Sequence, residues 1–338
     1  GAPMDNFTYN YKSTNNQLLS VSDAVNNNAA KKLGDIQPGQ SAENYKYDGI
    51  GNLIEDKQEE IKNIAWQANG KVKSVTRTPI STKPDLEFKY DALGQRVAKI
   101  VKPKNDNGEL LPESEWETTW YVRDAQGNEM AIYKQKYTPV GTNIFEEELK
   151  IEEFSIYGSS RLGTASPKDN LLSTRRFSGA IDNQTKRFNN IQTQSIQQLT
   201  FNANNFTHYR GKKQYHLSNH LGNVLATVSD RIIPESTDGL TVSGFKAEIK
   251  SASEYYPFGM LMPKRNHKPI NIDFGFNGMR KESEWTEGNY DFGARIYDSR
   301  SGRWFAVDPK ANKYHGFSTY NFAINNPIFY IDPDGGDK

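Results

Sequence analysis

The chain has no cysteine among its 338 residues. This absence excludes disulfide bridges, thiol catalysis and zinc sites built from cysteine. Hydrophobic residues are also few, at 35% of the chain, whereas an ordinary globular domain contains roughly 45–50%. No segment approaches the roughly 18 apolar residues of a membrane span, and the start lacks the basic and then apolar segments of a secretory signal. We therefore expect no membrane span, and we interpret residues 1–3 as a cloning remnant that leaves any native targeting signal outside this sequence.

The charge balance argues against a nucleic-acid partner. Lys and Arg total 42 and Asp and Glu total 41, so the net charge is only +1. A phosphate-binding face needs clustered basic residues. No glycine-rich phosphate loop or Gly-x-Ser-x-Gly motif is present. His216 and His220 are four residues apart, but Leu217 stands where a metalloprotease motif needs Glu. We expect no nucleic acid, no cofactor and no metal.

Aromatic side chains supply much of the apolar surface that the chain has. There are 18 Tyr and 17 Phe residues, and aromatic residues make up 12% of the sequence. Few but large apolar side chains suit a thin sheet that packs through one face while the other face stays in contact with water. This composition favours a mainly β protein over one with a thick aliphatic core.

A repeated turn pattern also indicates β-structure. Four segments share an aromatic strand, then Asp or Asn, two variable residues and Gly: Tyr45–Leu53, Phe88–Val97, Trp120–Met130 and Tyr215–Val224. Asp or Asn at the first turn position bonds the backbone ahead of it, and Gly at the fourth accepts a positive φ. Each segment is therefore predicted to be a β-hairpin. Their spacing is irregular, which argues against a propeller or a tight solenoid.

The C-terminal part carries the most specific motifs. They are Tyr290–Asp298, Gly302–Trp304, Asp308–Pro309, Asn325–Pro327 and Asp332–Gly335. This series resembles the RHS-repeat-associated core domain, and the pairs Tyr47-Asp48 and Tyr90-Asp91 are similar to those of YD repeats. The resemblance implies a mainly β fold in which antiparallel YD/RHS hairpins form a curved, shell-like sheet that the core domain closes.

The resemblance and the composition together divide the chain. The predicted parts are a polar N-terminal segment (1–42), YD-type hairpins (43–164), an irregular insertion rich in Asn and Gln (165–212), a further hairpin (213–253) and the RHS core domain (254–338). Within the first part, Ser20 to Lys32 are predicted to form a short helix.

The function implied by the resemblance is that of a container. Relatives of this kind are bacterial polymorphic toxins whose shell encloses or presents a C-terminal effector. The expected partners are the chain's own toxin segment, which lies outside this sequence, and secretion machinery or an immunity protein. The expected location is outside the cell or on its surface.

The resemblance also implies autoproteolysis, a cut of the chain beyond its terminal Asp-Pro-x-Gly motif in the manner of an aspartic protease. Carried onto this sequence, the catalytic residues are Asp308, Asp298 and Arg295, and the cleavage motif is Asp332, Pro333, Asp334, Gly335 and Gly336. Two carboxylates held together cannot both stay ionised, so such a pair can activate water. The alternative is structural, because Asp-Pro pairs form turns and arginines pair with carboxylates. Gly336 departs from the family pattern, in which Leu or Met follows the motif.

Two other interpretations remain open. The chain could be a secreted or surface YD-repeat module that binds carbohydrate or a protein partner without catalysis, through exposed Trp116, Trp120 or Trp285. It could also be a fragment that needs other chains to cover an open sheet edge, because unpaired strand edges invite association.

Overall fold

The structure is a computed structural model, which describes residues 6–24, 36, 39–167, 171–198, 210–267 and 273–336. Its strands, numbered along the chain, are β1 (Phe7–Tyr11), β2 (Leu18–Asp23), β3 (Tyr45–Tyr47), β4 (Leu53–Asp56), β5 (Ile61–Trp66), β6 (Val72–Arg77), β7 (Asp85–Tyr90), β8 (Arg96–Lys102), β9 (Glu117–Arg123), β10 (Glu129–Gly141), β11 (Ile144–Tyr157), β12 (Arg161–Ala165), β13 (Leu171–Ile181), β14 (Phe188–Gln198), β15 (Lys213–Ser218), β16 (Val224–Glu235), β17 (Gly244–Tyr255), β18 (Leu261–His267), β19 (Arg280–Lys281), β20 (Asn289–Asp291), β21 (Ile296–Asp298) and β22 (Arg303–Trp304).

Helix plays a minor part in this fold. In the described ranges it occurs only as single 3-10 turns: Glu113–Glu115, Phe276–Gly278, Ala311–Lys313 and Ala323–Asn325. None of the described helices is long and apolar enough to cross a membrane. The fold is therefore built from strands, as the composition predicts.

The strands form a large antiparallel sheet and two small ones. Among the described residues, the large sheet contains sixteen strands, and its order ends at β18 on one side and β3 on the other, so it does not close on itself. The small sheets are the pair β1-β2 and the four strands β19-β20-β21-β22. The predicted fold class, mainly β with antiparallel hairpins, is confirmed.

The chain divides into two compact units. The first contains residues 1–81, 218–225 and 251–338, and its core is an aromatic cluster around the small C-terminal sheet. The buried members of this cluster are Phe276, Tyr290, Phe292, Tyr297, Trp304, Phe322 and Ala323. The rings of Tyr297 and Phe322 are 4.3 Å apart. Packed aromatic pairs of this kind stabilise a core beyond their burial alone, which accounts for a stable sheet made of very short strands.

The Asp-x-x-Gly turns are formed as the sequence predicts, and the turn that joins β3 to β4 shows why. Asp48 Oδ1 accepts hydrogen bonds from the backbone N–H groups of Ile50, Gly51 and Asn52 at 2.8–3.0 Å. Gly51 has a φ of +100°, and a Cβ there would lie 2.7 Å from the hydroxyl of Tyr320. Glycine is thus required both for its backbone conformation and for the close approach of the C-terminal part.

The second unit contains residues 82–217 and 226–250. Its strands follow the order β7-β8-β9-β10-β11-β12-β15, and β11 also pairs with the hairpin formed by β13 and β14. Tyr137, Phe145, Phe177 and Phe188 form an aromatic cluster at this junction, with the rings of Phe145 and Phe188 4.8 Å apart. This cluster anchors the hairpin to the sheet.

The prediction of an irregular insertion at 165–212 is wrong where the structure describes it, because β13 and β14 pair in an antiparallel register. The prediction of irregular structure was based on the polar composition of this segment. Arg175 and Arg176 form ion pairs with Glu147 and Glu146 on β11, so charged side chains here belong to a strand ladder. Residues 168–170 and 199–209 of that range lie outside the described residues. The other predicted domain boundaries stay a prediction.

The helix predicted from Ser20 to Lys32 is also wrong within the described residues. Residues up to Asp23 belong to β2, which pairs with β1, and Leu18 and Val21 are buried. Hydrogen bonding to β1 and burial of these apolar side chains outweigh the local helical preference. Residues 25–32 lie outside the described residues.

Candidate functional site

Arg295 is the centre of the candidate site. It lies in the turn between β20 and β21, and only 3% of its surface is exposed. Its guanidinium packs over the ring of Trp304, 4.2 Å from the ring centroid. Burial lowers the pKa of Arg295, while the negative charges of Asp308 and Asp332 raise it and thereby oppose that effect. A buried guanidinium is stable only when carboxylates or other acceptors surround it.

Two buried carboxylates from separate segments meet this guanidinium. Asp308 Oδ2 lies 3.9 Å from Arg295 Nη1, and Asp332 Oδ2 lies 3.2 Å from Nη2. The second oxygen of each carboxylate accepts a hydrogen bond from a backbone N–H group. Asp308 Oδ1 accepts from Lys310 at 2.6 Å, and Asp332 Oδ1 accepts from Gly335 at 2.8 Å. Both carboxylates are therefore fixed in place around one arginine.

The terminal motif is docked against the same arginine. Arg295 Nε donates a hydrogen bond to the carbonyl oxygen of Gly335 at 2.5 Å, and the N–H of Ala294 donates to the carbonyl oxygen of Asp334 at 2.9 Å. Gly335 has a φ of +73°, and a Cβ there would lie 2.9 Å from Phe292 Cβ. Only glycine fits this position. Within the motif, Pro333 and Asp334 are exposed, whereas Gly335 and Gly336 are buried.

The groups gathered here are of types that can take part in hydrolysis. A charged donor fixed at a carbonyl oxygen can stabilise the negative charge that develops there when the carbon is attacked. Carboxyl groups are among the side chains that act as general acid and base in hydrolysis. The peptide bond in this position joins Gly335 to Gly336. A catalytic role for Arg295 and Asp308 stays a prediction, and the structure brings these two predicted residues together.

Asp298, the third predicted catalytic residue, contacts a different arginine. Arg300 donates to Asp298 Oδ1 from its backbone N–H at 3.0 Å and from Nε at 2.9 Å, and to Oδ2 from Nη2 at 3.2 Å. Arg300 also pairs with Glu59, 241 residues earlier in the chain. Asp298 thus helps to bind the C-terminal sheet to the first hairpins. The second carboxylate beside Arg295 is Asp332, which the sequence presented only as part of the cleavage motif.

Close to this ion-pair cluster lies a carboxyl group with a perturbed pKa. Burial raises the pKa of Asp56 from 3.8 to about 6, while Arg300 and a hydrogen bond from Asn44 act in the opposite direction. The amide of Asn44 donates to Asp56 Oδ1 at 2.9 Å. A buried carboxyl group that binds its proton tightly makes the stability of this unit depend on pH.

The tryptophans proposed as a binding surface are mostly inaccessible. Trp116 and Trp285 are 3% and 1% exposed, so the expectation that they face outward is wrong for both. Trp116 packs between Lys102 and Arg187, at 4.7 and 5.2 Å from the ring centroid. Trp120 is half-buried, and its indole N–H donates to Gln135 at 2.7 Å. These rings stabilise the sheet, as large amphipathic side chains commonly do.

Comparison with known proteins adds sequence relatives but no family assignment, since no family model matches the chain. It is 25% identical over 333 residues to salivary gland surface protein 1 of Aedes aegypti, a match that covers 97% of this chain and 7% of that protein. It is 24% identical over 306 residues to toxin subunit YenC1 of Yersinia entomophaga, covering 86% of this chain and 28% of that subunit.

A solved structure was also matched. The crystal structure of TcdB2-TccC3-Cdc42 aligns with 97% of this chain and 18% of the matched chain, at 14% identity and a TM-score of 0.32. In every case the chain spans less than a third of the length of the protein that it matches. The chain is therefore related in sequence to a toxin subunit, of which it corresponds to about one quarter.

Proposed function

We propose that this chain forms part of an RHS-type β-shell together with its core domain, encloses or presents a C-terminal effector, and cuts itself after Gly335. The observation that carries the proposal is the hydrogen bond from buried Arg295 to the Gly335 carbonyl oxygen, with Asp308 and Asp332 on the same guanidinium. The relationship to toxin subunit YenC1 supports the toxin context.

In this proposal Arg295 acts on the carbonyl group that is attacked. Its Nε–H already points to the Gly335 oxygen, so no rearrangement is needed when that oxygen gains negative charge. A preorganised donor in a site without bulk water contributes more than the same donor in solution. Arg295 is thus the oxyanion-stabilising residue.

The carboxylates supply the proton transfers. One of the pair Asp308 and Asp332 takes a proton from water as the oxygen of that water bonds to the Gly335 carbonyl carbon. The other gives a proton to the Gly336 nitrogen as the carbon–nitrogen bond breaks. The products are a new carboxyl terminus at Gly335 and a new amino terminus at Gly336. A pair of carboxylates with one shared proton can perform both steps.

The shell part of the proposal rests on the large open sheet. Its order ends at β3 and β18, and such edges need further strands to cover them. The chain corresponds to 28% of YenC1, so the remaining wall would come from other segments or chains. The proposed partners are therefore further shell segments, the effector that follows Gly336, and secretion machinery or an immunity protein outside the producing cell.

A reporter tests the self-cleavage directly. A small folded reporter domain attached after Lys338 should be released from the purified protein as a separate band on a denaturing gel. The Asp308→Asn variant should stay uncut, and Asp298→Asn, which alters the neighbouring ion pair, should still be cut. Release that persists in Asp308→Asn and in Arg295→Gln would contradict the proposed mechanism.

A further inference from the structure

A cavity of about 630 Å³ lies in the first unit, apart from the Arg295 site. Its volume is within the range of about 300–1,000 Å³ that is usual for sites that bind small ligands. Its lining comes mainly from β1 and from the stretches 256–260, 299–303 and 318–325. Arg295 and its carboxylates are not among the described residues that line it, so a ligand here would bind independently of the proposed cleavage.

Much of the cavity wall is apolar. Phe7, Tyr9 and Tyr11 alternate along β1 and therefore share one face of the strand, and successive rings are 6.3 and 6.4 Å apart. Phe258 and Met260, from the turn between β17 and β18, add two further apolar side chains. Replacing the water on such a surface by an apolar group is favourable. The cavity therefore suits a ligand with an apolar body.

Arg303 of β22 places a positive charge on this wall. Its Nη1 donates to the Tyr11 hydroxyl group at 3.2 Å, and its Nη2 donates to the carbonyl oxygen of Asn16 at 2.8 Å. The guanidinium also packs near the rings of Tyr11 and Tyr320, 5.2 and 5.3 Å from their centroids. All these partners are neutral, and within the described residues no carboxylate pairs with Arg303. They orient the guanidinium but leave its charge unbalanced.

This guanidinium keeps donors for a ligand. Two of its five N–H groups bind Tyr11 and Asn16, and a carboxylate can accept two parallel N–H groups from one arginine. Arg300 also lines the cavity, but Asp298 and Glu59 pair with it. Among the described lining residues there is no Asp, Glu or Lys. The cavity thus has one unbalanced positive charge.

These features select the charge and the shape of the ligand. A neutral or purely apolar molecule would take water away from Arg303 without replacing the hydrogen bonds to that water. A phosphate group carries roughly −1.5 to −2 charges at pH 7, which is more than one arginine balances. A small anion alone would leave the apolar wall in contact with water. A single negative charge attached to an apolar chain matches both parts of the wall.

We propose that this cavity binds a monocarboxylate of the fatty-acid class. The carboxylate accepts hydrogen bonds from Arg303, and the chain packs against the rings of β1 and against Phe258 and Met260. This binding would be a function separate from self-cleavage, and it does not require the cleavage to occur.

Calorimetric titration of the intact protein with octanoate, 1-octanol and acetate tests both parts of the proposal. Octanoate should bind. 1-Octanol has the chain without the charge, and acetate has the charge without the chain, so each should bind at least about tenfold more weakly. Absence of octanoate binding would overturn the proposal, as would binding of 1-octanol with the affinity of octanoate.

Replacing the arginine tests where the carboxylate binds. Arg303→Gln should weaken octanoate binding at least about tenfold, because a charge-assisted pair is lost, and should leave 1-octanol binding unchanged. Arg265→Gln is the matched control, since it removes an arginine that is 63% exposed on β18 and pairs with Glu254. This control should bind octanoate as the wild type does. Equal octanoate affinity of Arg303→Gln and the wild type would overturn the assignment.

A second variant tests the apolar wall and leaves Arg303 in place. Phe7→Ser should weaken octanoate binding about tenfold, because the chain loses an apolar partner. Phe245→Ser, which removes a ring 64% exposed on β17, is its control and should bind as the wild type does. Unchanged binding by Phe7→Ser would show that the chain lies elsewhere and would overturn the proposal.

Two further measurements complete the test. Thermal unfolding of each variant ensures that binding is measured on folded protein. The Asp308→Asn variant should bind octanoate as the wild type does, so failure of the cavity proposal is distinguishable from failure of the proposed self-cleavage.

Discussion

Arg295 donates a hydrogen bond from Nε to the carbonyl oxygen of Gly335, 40 residues later in the chain, at 2.5 Å. The contact links the start of β21 to the terminal Asp-Pro-Asp-Gly motif. Asp308 and Asp332 contact the same guanidinium, so the Gly335 carbonyl oxygen shares this arginine with both carboxylates.

Replacing Gly335 should disturb both stability and cleavage. In Gly335→Ala the new Cβ would lie 2.9 Å from Phe292 Cβ and 3.0 Å from the Arg295 backbone nitrogen, at a φ of +73°. Gly70→Ala is the matched control, because its φ is +77° and nothing lies within 4 Å of the added Cβ. The left-handed conformation alone costs about 1–2 kcal/mol. Urea unfolding should therefore show a larger loss for Gly335→Ala than for Gly70→Ala.

Cleavage should distinguish the same two variants. Gly70→Ala should be cut as the wild type is, while Gly335→Ala should not, because its carbonyl oxygen is displaced from Arg295. Equal stability of the two variants would contradict the close packing at Gly335.

Removing the central arginine should destabilise the first unit strongly. Arg295→Met leaves Asp308 and Asp332 buried without their cation, and breaking a buried ion pair in this way costs about 3 to 5 kcal/mol. Arg265→Met is the control, because that ion pair with Glu254 is 63% exposed on the arginine side and should contribute less than about 1 kcal/mol. The free energy of unfolding in urea measures both. A loss in Arg295→Met no greater than that in Arg265→Met would argue against a buried charge cluster.

Part of this fold could be predicted from the sequence because its causes are local. Asp48 and Gly51 determine their turn through hydrogen bonds within five residues, and the sequence displays that pattern. The hairpin β13-β14 was missed because its stability comes from β11, through Phe177 and the arginine–glutamate pairs. Such partners lie about 30 residues away in sequence.

The candidate site, too, could be predicted only where its contacts are local in sequence. Arg295 and Asp308 carry recognisable motifs, so they could be named in advance. The choice of the second carboxylate could not, because Asp298 is nearer to both in sequence, whereas Asp332 reaches Arg295 only after the terminal motif folds back. Asp298 instead pairs with Arg300, which also binds Glu59, 241 residues earlier in the chain. The nearest signal for Asp332 was its place in an Asp-Pro-x-Gly motif.

Asp298 should be important for stability but not for cleavage. Asp298→Asn removes the negative charge that faces buried Arg300, so the free energy of unfolding should fall. The Arg295 site keeps all its groups in this variant, and cleavage should continue in the folded fraction. Folded Asp298→Asn protein that is not cut would restore Asp298 as a catalytic residue. Thermal unfolding and denaturing gels of the same samples measure the two effects.

Asp56 should make the stability of the chain depend on pH. Its pKa is about 6 in the folded chain and 3.8 in a free side chain, so the folded state holds the proton more tightly. The stability that this proton contributes is complete below pH 3.8 and is lost as the pH rises through 6. Between pH 5 and pH 8 the wild type should lose about 1 kcal/mol more than Asp56→Asn, which has no such proton. Urea unfolding of both proteins at the two pH values measures the difference, and parallel losses would contradict the raised pKa.

Intact-mass spectrometry of the freshly folded protein, beside its Asp308→Asn variant, shows whether Arg295 and Asp308 cut the bond between Gly335 and Gly336. The wild type should lose the mass of Gly336, Asp337 and Lys338, while Asp308→Asn should keep its full mass. If both proteins keep their full mass after prolonged incubation in the folded state, the chain is not an autoprotease, and the Arg295 cluster serves only to hold the terminal motif in place.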